Sequence, residues 1–88
     1  MTEHELLIRR ATFGKQIEQF MSSDIGRYLT ARADDDIVNA FNELKKCDPR
    51  DGKTVEKWQN QVYRAESFST WLSEGVQDGL NAIEILEE

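Results

Sequence analysis

The chain has few of the side chains that hold metal ions or attack substrates. Its 88 residues include one histidine, His4, and one cysteine, Cys47. A zinc site needs several Cys or His ligands, and a histidine-based dyad needs a nucleophile beside it, so the sequence argues against both. One cysteine also forms no internal disulfide, which is typical of a reducing cytoplasm. We therefore expect no enzymatic activity, no metal and no cofactor.

Proline and strand signals are also scarce. Proline occurs once, and the turn-residue clusters that separate short strands are absent. No apolar run approaches the roughly 20 residues that a membrane helix needs, and the acidic start of the chain lacks the apolar stretch of a signal peptide. With 39% hydrophobic and 32% charged residues, the composition predicts a soluble, helix-rich chain forming a single domain, residues 1–88.

Basic residues are missing from the C-terminal end. Residues 65–88 contain six acids and no Lys or Arg, whereas residues 1–64 contain eleven residues of each sign. The whole net charge of −6 therefore lies in the last part of the chain. Binding to phosphates needs clustered Lys and Arg, so we expect neither a broad nucleic-acid surface nor binding to an anionic membrane.

Helical spacing and turn signals predict an all-α fold. Asp48 before Pro49 disfavours helix, and Gly52 closes the turn. A short loop between long helices makes them antiparallel neighbours. The sequence thus predicts a long, coiled-coil-like antiparallel hairpin with an additional N-terminal helix, three helices in all. The predicted helices cover about residues 3–21, 24–47 and 53–87, with the turn at 48–52.

Two observations predict a break between the first two helices: a capping signal and a drift in the apolar stripe. Thr2 and Glu5 form a capping box at the start of the first helix, and Ser22-Ser23-Asp24 supplies an N-cap for the second. From Ile17 to Phe41 the apolar residues recur every four positions, a stripe that drifts by about 40° per step on an ideal helix. We expect that a break lets the apolar stripe of the second helix start again in a new orientation.

The third helix carries the most regular apolar pattern in the chain. Steps of three and four residues connect ten positions in a heptad seam. The seam consists of Val55, Trp58, Val62, Ala65, Ser69, Leu72, Val76, Gly79, Ile83 and Leu86. Folding back at the turn predicts facing pairs. They are Leu44 with Val55, Phe41 with Trp58, Ile37 with Val62, Leu29 near Trp71, Ile25 beside Gly75 and Met21 near Gly79.

Four seam or near-seam residues are candidates for interaction. Gly75 and Gly79 have the spacing that lets two helices approach closely. Each glycine lowers helix propensity by about 1 kcal/mol relative to alanine, so the pair either has this packing reason or marks a weakened, kinked helix. Trp58 and Trp71 are core candidates. Since a small bundle rarely covers a whole indole, one of them is a candidate contact anchor.

Charged candidates lie at the two ends of the third helix. Near the turn, Lys53 and Lys57 are candidates for a phosphate or acidic contact, with an ordinary salt-bridged surface as the alternative. If the hairpin register continues into the first helix, Lys15 faces Glu84 and partly neutralises the acidic end; otherwise that end is free for a basic partner. The acidic candidates are Glu84, Glu87 and Glu88.

Two segments carry a family resemblance. Residues 13–29 read FGKQIEQFMSSDIGRYL and residues 57–79 read KWQNQVYRAESFSTWLSEGVQDG. The motif residues are Ala11, Phe13, Gly14, Ser23, Asp24, Ile25, Gly26, Tyr28, Leu29, Gln59, Asn60, Val62, Ala65, Glu66, Ser67, Phe68, Trp71 and Leu72. With these residues the chain resembles small helical proteins of unassigned function encoded by tailed bacteriophages and prophages. The resemblance implies a phage origin and no particular activity or ligand.

The leading hypothesis is a non-enzymatic interaction protein of a phage that self-associates and acts in virion morphogenesis or packaging. Its expected partners are proteins, first of all further copies of itself, with no small-molecule substrate. The expected location is the host cytoplasm or the virion. One alternative is an acidic inhibitor that binds a host protein, including as a nucleic-acid mimic. Another is a packaging accessory that contacts DNA through Lys53 and Lys57.

Overall fold

In a computed structural model that describes all residues from Met1 to Glu88, the chain is entirely helical between short connections. The elements are α1 (Glu3–Ser22), α2 (Asp24–Lys46) and α3 (Gly52–Glu87). There are no strands, and α3 packs against both of the other helices. The predicted all-α fold, an antiparallel α2–α3 hairpin with an additional N-terminal helix, is confirmed. Every helix end lies within one residue of its predicted place.

The start of α1 uses half of the predicted capping box. The hydroxyl of Thr2 accepts a hydrogen bond from the backbone N–H of Glu5 at 3.1 Å. The reciprocal bond from the backbone of Thr2 to the carboxylate of Glu5 is not formed. The Thr2 hydroxyl is therefore the side-chain cap that this helix start has.

Ser23 both ends α1 and begins α2. Its backbone is extended, with φ −73° and ψ 161°. Its hydroxyl donates to the carbonyl oxygen of Phe20 at 2.5 Å and accepts the N–H of Gly26 at 3.0 Å. The predicted break is confirmed. Gly26 packs so closely that an added Cβ would overlap the Phe20 carbonyl group, so only glycine fits this crossing.

Two aspartates organise the turn before α3. Asp48 accepts the backbone N–H of Arg50 at 2.9 Å. Asp51 accepts the N–H of Thr54 at 3.2 Å and its hydroxyl at 2.7 Å, which caps α3. Because these bonds stabilise the charged carboxylates, the backbone N–H of Arg50 and the Thr54 hydroxyl hold the pKa values of Asp48 and Asp51, respectively, below their usual range.

The helices form two compact units. One comprises residues 28–69, where α2 pairs with the first part of α3. Alanines make its closest packing, because Ala33, Ala40 and Ala65 are its buried hydrophobic residues. The side-chain amide of Gln61 also donates to the backbone carbonyl of Asp36 at 2.9 Å, which ties the two helices together.

The other unit comprises residues 1–27 and 70–88, where α1 pairs with the C-terminal part of α3. Leu7 and Ala82 are its buried hydrophobic residues. Gly14 and Gly79 are buried with them. Small residues thus dominate the contact between the helices in this unit as well.

The predicted seam on α3 is confirmed at all ten positions, which are buried or half-buried. On the α2 side, Phe41, which was predicted to face Trp58, is 48% exposed. The neighbouring Ala40 is completely buried instead. Successive helical residues point about 100° apart, so placing Ala40 against α3 turns Phe41 toward the surface.

Candidate interaction surface

The backbones of α1 and α3 touch at two glycines. A Cβ added to Gly14 would lie 2.8 Å from the Cα of Gly79, and one added to Gly79 would lie 2.7 Å from the Cα of Gly14. Real side chains do not tolerate such distances, so both positions require the absence of a Cβ. Of the two interpretations of the glycine pair, close helix approach is confirmed for Gly79, and α3 continues through it unbroken.

Gly75 has a different role from Gly79. A Cβ on Gly75 would meet the Cδ1 atom at the tip of the Ile17 side chain rather than backbone. The predicted neighbours are therefore wrong: Gly75 faces Ile17 instead of Ile25, and Gly79 faces Gly14 instead of Met21. The residue pairing of the α2–α3 hairpin does not continue into α1, because α1 ends at Ser23, whose backbone is extended, and α2 starts there.

One ion pair joins α1 and α3. Arg10 donates to the carboxylate of Asp78 from Nε at 3.1 and 3.0 Å and from Nη2 at 2.8 Å. This paired geometry fixes the orientation of both side chains. The hydrogen bonds lower the pKa of Asp78 and raise that of Arg10 relative to their ordinary values. Both side chains stay partly open to solvent, with 39% and 50% exposed.

The acidic end of α3 is not neutralised as predicted. Lys15 lies 3.5 Å from Glu18, one turn along its own helix, and makes no ion pair with Glu84. Of the two alternatives, the contact between Lys15 and Glu84 is therefore not formed, although Arg10 on α1 does pair with Asp78 of the acidic segment. The last turn of α3 contains no basic residue. The three C-terminal candidates are exposed and have no ion-pair partner: Glu84, Glu87 and Glu88.

The two tryptophans differ in their surroundings. Trp58 is half-buried in the hairpin unit, with the Nζ of Lys57 above its ring at 4.6 Å from the centroid. Trp71 is 69% exposed. Lys53 is exposed near the turn and forms no ion pair. The structure therefore does not bring the predicted candidates together into one site; Trp71 stands out because so much of its indole is uncovered.

The interior contains little large apolar surface. No large side chain is fully buried, and apart from Leu7 the buried hydrophobic residues are alanines. Twelve large hydrophobic residues are exposed instead. They are Met1, Leu6, Ile8, Phe13, Ile25, Tyr28, Val38, Phe41, Tyr63, Trp71, Leu80 and Ile85. Apolar side chains that are exposed singly are normal, so only those that lie next to one another can mark a protein–protein contact.

Sequence reasoning missed the contact residues on α1. Gly14 lies seven residues after Leu7 and seven before Met21, so this spacing marks the face that packs on α3. A glycine in the middle of such a face signals a close helix approach. For Arg10 and Asp78 no sequence signal was sufficient, because their pairing depends on the register between α1 and α3.

The hairpin unit also contains a surface groove. A groove of about 380 Å³ between α2 and α3 is lined by Leu29, Arg32, Ala33, Asp36, Gln61, Arg64, Ala65 and Phe68.

No group of three or more Asp, Glu, His or Cys side chains is placed to hold a metal ion. None of the three helices has the combined length and hydrophobicity required to cross a membrane. Comparison with protein-family models, curated proteins and solved structures gives no match.

Proposed function

We propose that this chain is a non-enzymatic helical interaction protein that self-associates and serves the assembly of a bacteriophage, in virion morphogenesis or packaging. The observation that carries the self-association is the distribution of its apolar side chains. Twelve large ones are exposed and none is fully buried. A chain with this distribution leaves large apolar side chains available to a partner.

The total accessible surface supports the same conclusion. The chain exposes 6696 Å², whereas a compact monomer of 10.2 kDa exposes about 5,300 Å². The excess of about 1,400 Å² is larger than the about 800 Å² that each partner buries in a standard interface. Small domains with thin cores commonly gain their stability by oligomerisation.

Sedimentation velocity tests self-association directly. Between about 1 and 200 μM, the weight-average sedimentation coefficient should rise with concentration as monomers form oligomers. Repeating the series in high salt separates apolar from electrostatic association, because an apolar interface persists when charges are screened. A single monomeric species across the whole range would contradict the proposal.

The assembly role requires a test in the phage or prophage. Deleting the gene should leave DNA replication and lysis intact while reducing infectious particles, and electron microscopy of the lysate should show incomplete heads or tails. Normal particle numbers with normal morphology would contradict a role in assembly. The phage context itself rests on the resemblance of residues 13–29 and 57–79.

A second candidate is an acidic inhibitor of a host protein. It is favoured by the exposed, unpaired carboxylates of Glu84, Glu87 and Glu88 at the end of α3. A variant with all three changed to Gln separates the candidates. An inhibitor should lose its host target, whereas an assembly protein should keep its self-association unchanged.

A further inference from the structure

On α1, an apolar stripe lies beside the contact with α3. Leu6, Phe13 and Phe20 are spaced by seven residues, so they lie on one side of the helix with a drift of about 20° per step. Arg10 and Ile17 are the residues of α1 that reach across to α3. Each residue of the stripe lies three or four positions from one of them, so the stripe runs along the same surface of the helix. Leu6 is 47% and Phe13 58% exposed, whereas Phe20 is half-buried.

The same spacing occurs on α3. Trp71, Asp78 and Ile85 are also seven residues apart and therefore share one side of their helix. Asp78 holds Arg10, which places this stripe on the same side of the unit as the stripe on α1. Trp71 is 69% and Ile85 45% exposed. We call the six residues of the two stripes, Leu6, Phe13, Phe20, Trp71, Asp78 and Ile85, the heptad face.

From this face we infer that a second copy of the chain binds here, its own heptad face against the first, to form a bundle of helices. This inference rests on the proposed self-association and identifies the surface that performs it. Seven-residue spacing on both helices suits partners that are themselves helices running alongside. A flat or irregular partner would not require that repeat.

The charge on the heptad face favours a copy over a charged partner. Its one carboxylate, Asp78, is already neutralised by Arg10 at 2.8 Å. Such a face offers no net charge to a basic or an acidic protein, or to nucleic acid. A second heptad face is also apolar, and its one charge is already paired. Two such faces in contact therefore leave no charge unpaired.

The order of residues makes the heptad face self-complementary. The antiparallel register puts Leu6 at the level of Ile85 and Phe20 at the level of Trp71, with Phe13 and the ion pair between them. Both ends are therefore apolar and the ion pair is central. A two-fold axis brings the same patch of each subunit together, so apolar ends meet apolar ends.

The exposed aromatic side chains supply part of the area that a stable dimer needs. At 58% and 69% exposure, Phe13 and Trp71 together uncover about 250 Å² of aromatic surface. This is roughly a third of the about 800 Å² that each partner buries in a standard interface. The exposed Leu6 and Ile85 and the half-buried Phe20 add to this area. Phe13 lies beside the central ion pair, and Trp is among the residue types that most often act as energetic anchors of an interface.

The test is sedimentation velocity on a heptad-face variant, Phe13→Lys with Trp71→Lys. Because both side chains are mostly exposed, the monomer should keep its helical circular dichroism. The dissociation constant should rise about 100-fold or more. The matched control, Val38→Lys with Tyr63→Lys, changes side chains that are 59% and 72% exposed in the other unit. The control should associate like the unchanged chain.

A second measurement needs no interface substitution. In the Trp58→Phe variant, Trp71 is the only tryptophan, and its quenching by iodide should fall as concentration rises through the association range. If the chain associates while Trp71 stays equally quenchable, or if only the control pair prevents association, the heptad face is not the interface and self-association still stands. A chain that remains monomeric throughout overturns both proposals.

Discussion

The contact between Gly14 and Gly79 makes a sharp prediction about Gly79→Ala. The new Cβ would lie 2.7 Å from the Cα of Gly14 and 3.2 Å from the carbonyl oxygen of Arg10. Both are backbone atoms, so no side-chain rotation relieves the overlap and the helices must separate. Overpacking of this kind costs about 1 to 3 kcal/mol, while exchanging glycine for alanine returns about 1 kcal/mol of helix propensity.

The expected result is a net loss of up to about 2 kcal/mol of unfolding free energy for Gly79→Ala. For a chain of this size that corresponds to a melting temperature lower by up to about 15 °C. Urea or thermal unfolding followed by far-ultraviolet circular dichroism measures it. All variants must be compared at one protein concentration, because association stabilises the folded state.

Gly75→Ala is the matched control, four residues away on the same helix. It gains the same helix propensity, but its Cβ meets the tip of the flexible Ile17 side chain, which can move. We expect it to be near neutral. Gly52→Ala at the start of α3 meets nothing within 4 Å and should not destabilise. If Gly79→Ala were as stable as Gly75→Ala, the argument from backbone contact would be refuted.

Three further predictions concern the caps, the ion pair and the cooperativity of the fold. Ser23→Ala removes the hydroxyl shared by two helix ends, and urea unfolding should show a loss of about 1 kcal/mol; an unchanged midpoint would mean the cap is dispensable. For Asp78, whose folded pKa is below the unfolded value of 3.8, stabilisation is present above pH 3.8 and is lost as pH falls through the folded pKa. Asp78→Asn should therefore be less stable than the unchanged chain at neutral pH, and the gap should close in acid; a gap independent of pH would contradict the ion pair's role. If residues 1–88 unfold as one domain, Trp71 fluorescence in Trp58→Phe and Trp58 fluorescence in Trp71→Phe should report the same urea midpoint, whereas separate midpoints would show that the two units unfold independently.

The fold could be predicted because its signals are local. The turn at Asp48 to Gly52 is encoded by a few adjacent residues, and the seam of α3 repeats over its whole length. The break at Ser23 was detectable as a conflict of phase in the apolar pattern. These features can be identified without knowing which helices pack against each other.

The details of packing could not be predicted for a physical reason. Ser23 ends one helix and starts another, and Gly26 lies against the Phe20 carbonyl at this junction. Because no local pattern specifies the register in which α1 packs on α3, the partners of Gly75, Gly79 and Lys15 were assigned to the wrong register. The difference between the tryptophans does follow the sequence pattern, because Trp58 belongs to the seam and is half-buried, whereas Trp71 lies outside it and is 69% exposed.

The alanine-rich interior also has a thermodynamic consequence. Unfolding normally raises the heat capacity by about 12 to 15 cal/mol/K per residue, chiefly through newly hydrated apolar surface. Here the buried hydrophobic residues are four alanines and Leu7, and the larger apolar residues of the α3 seam are half-buried, so a lone chain hydrates less apolar surface on unfolding than a chain with fully buried large side chains. Its heat-capacity change should lie below that range and its stability should vary more gently with temperature. Association through the heptad face would add buried aromatic surface and give the assembly a more strongly curved temperature profile than its subunits.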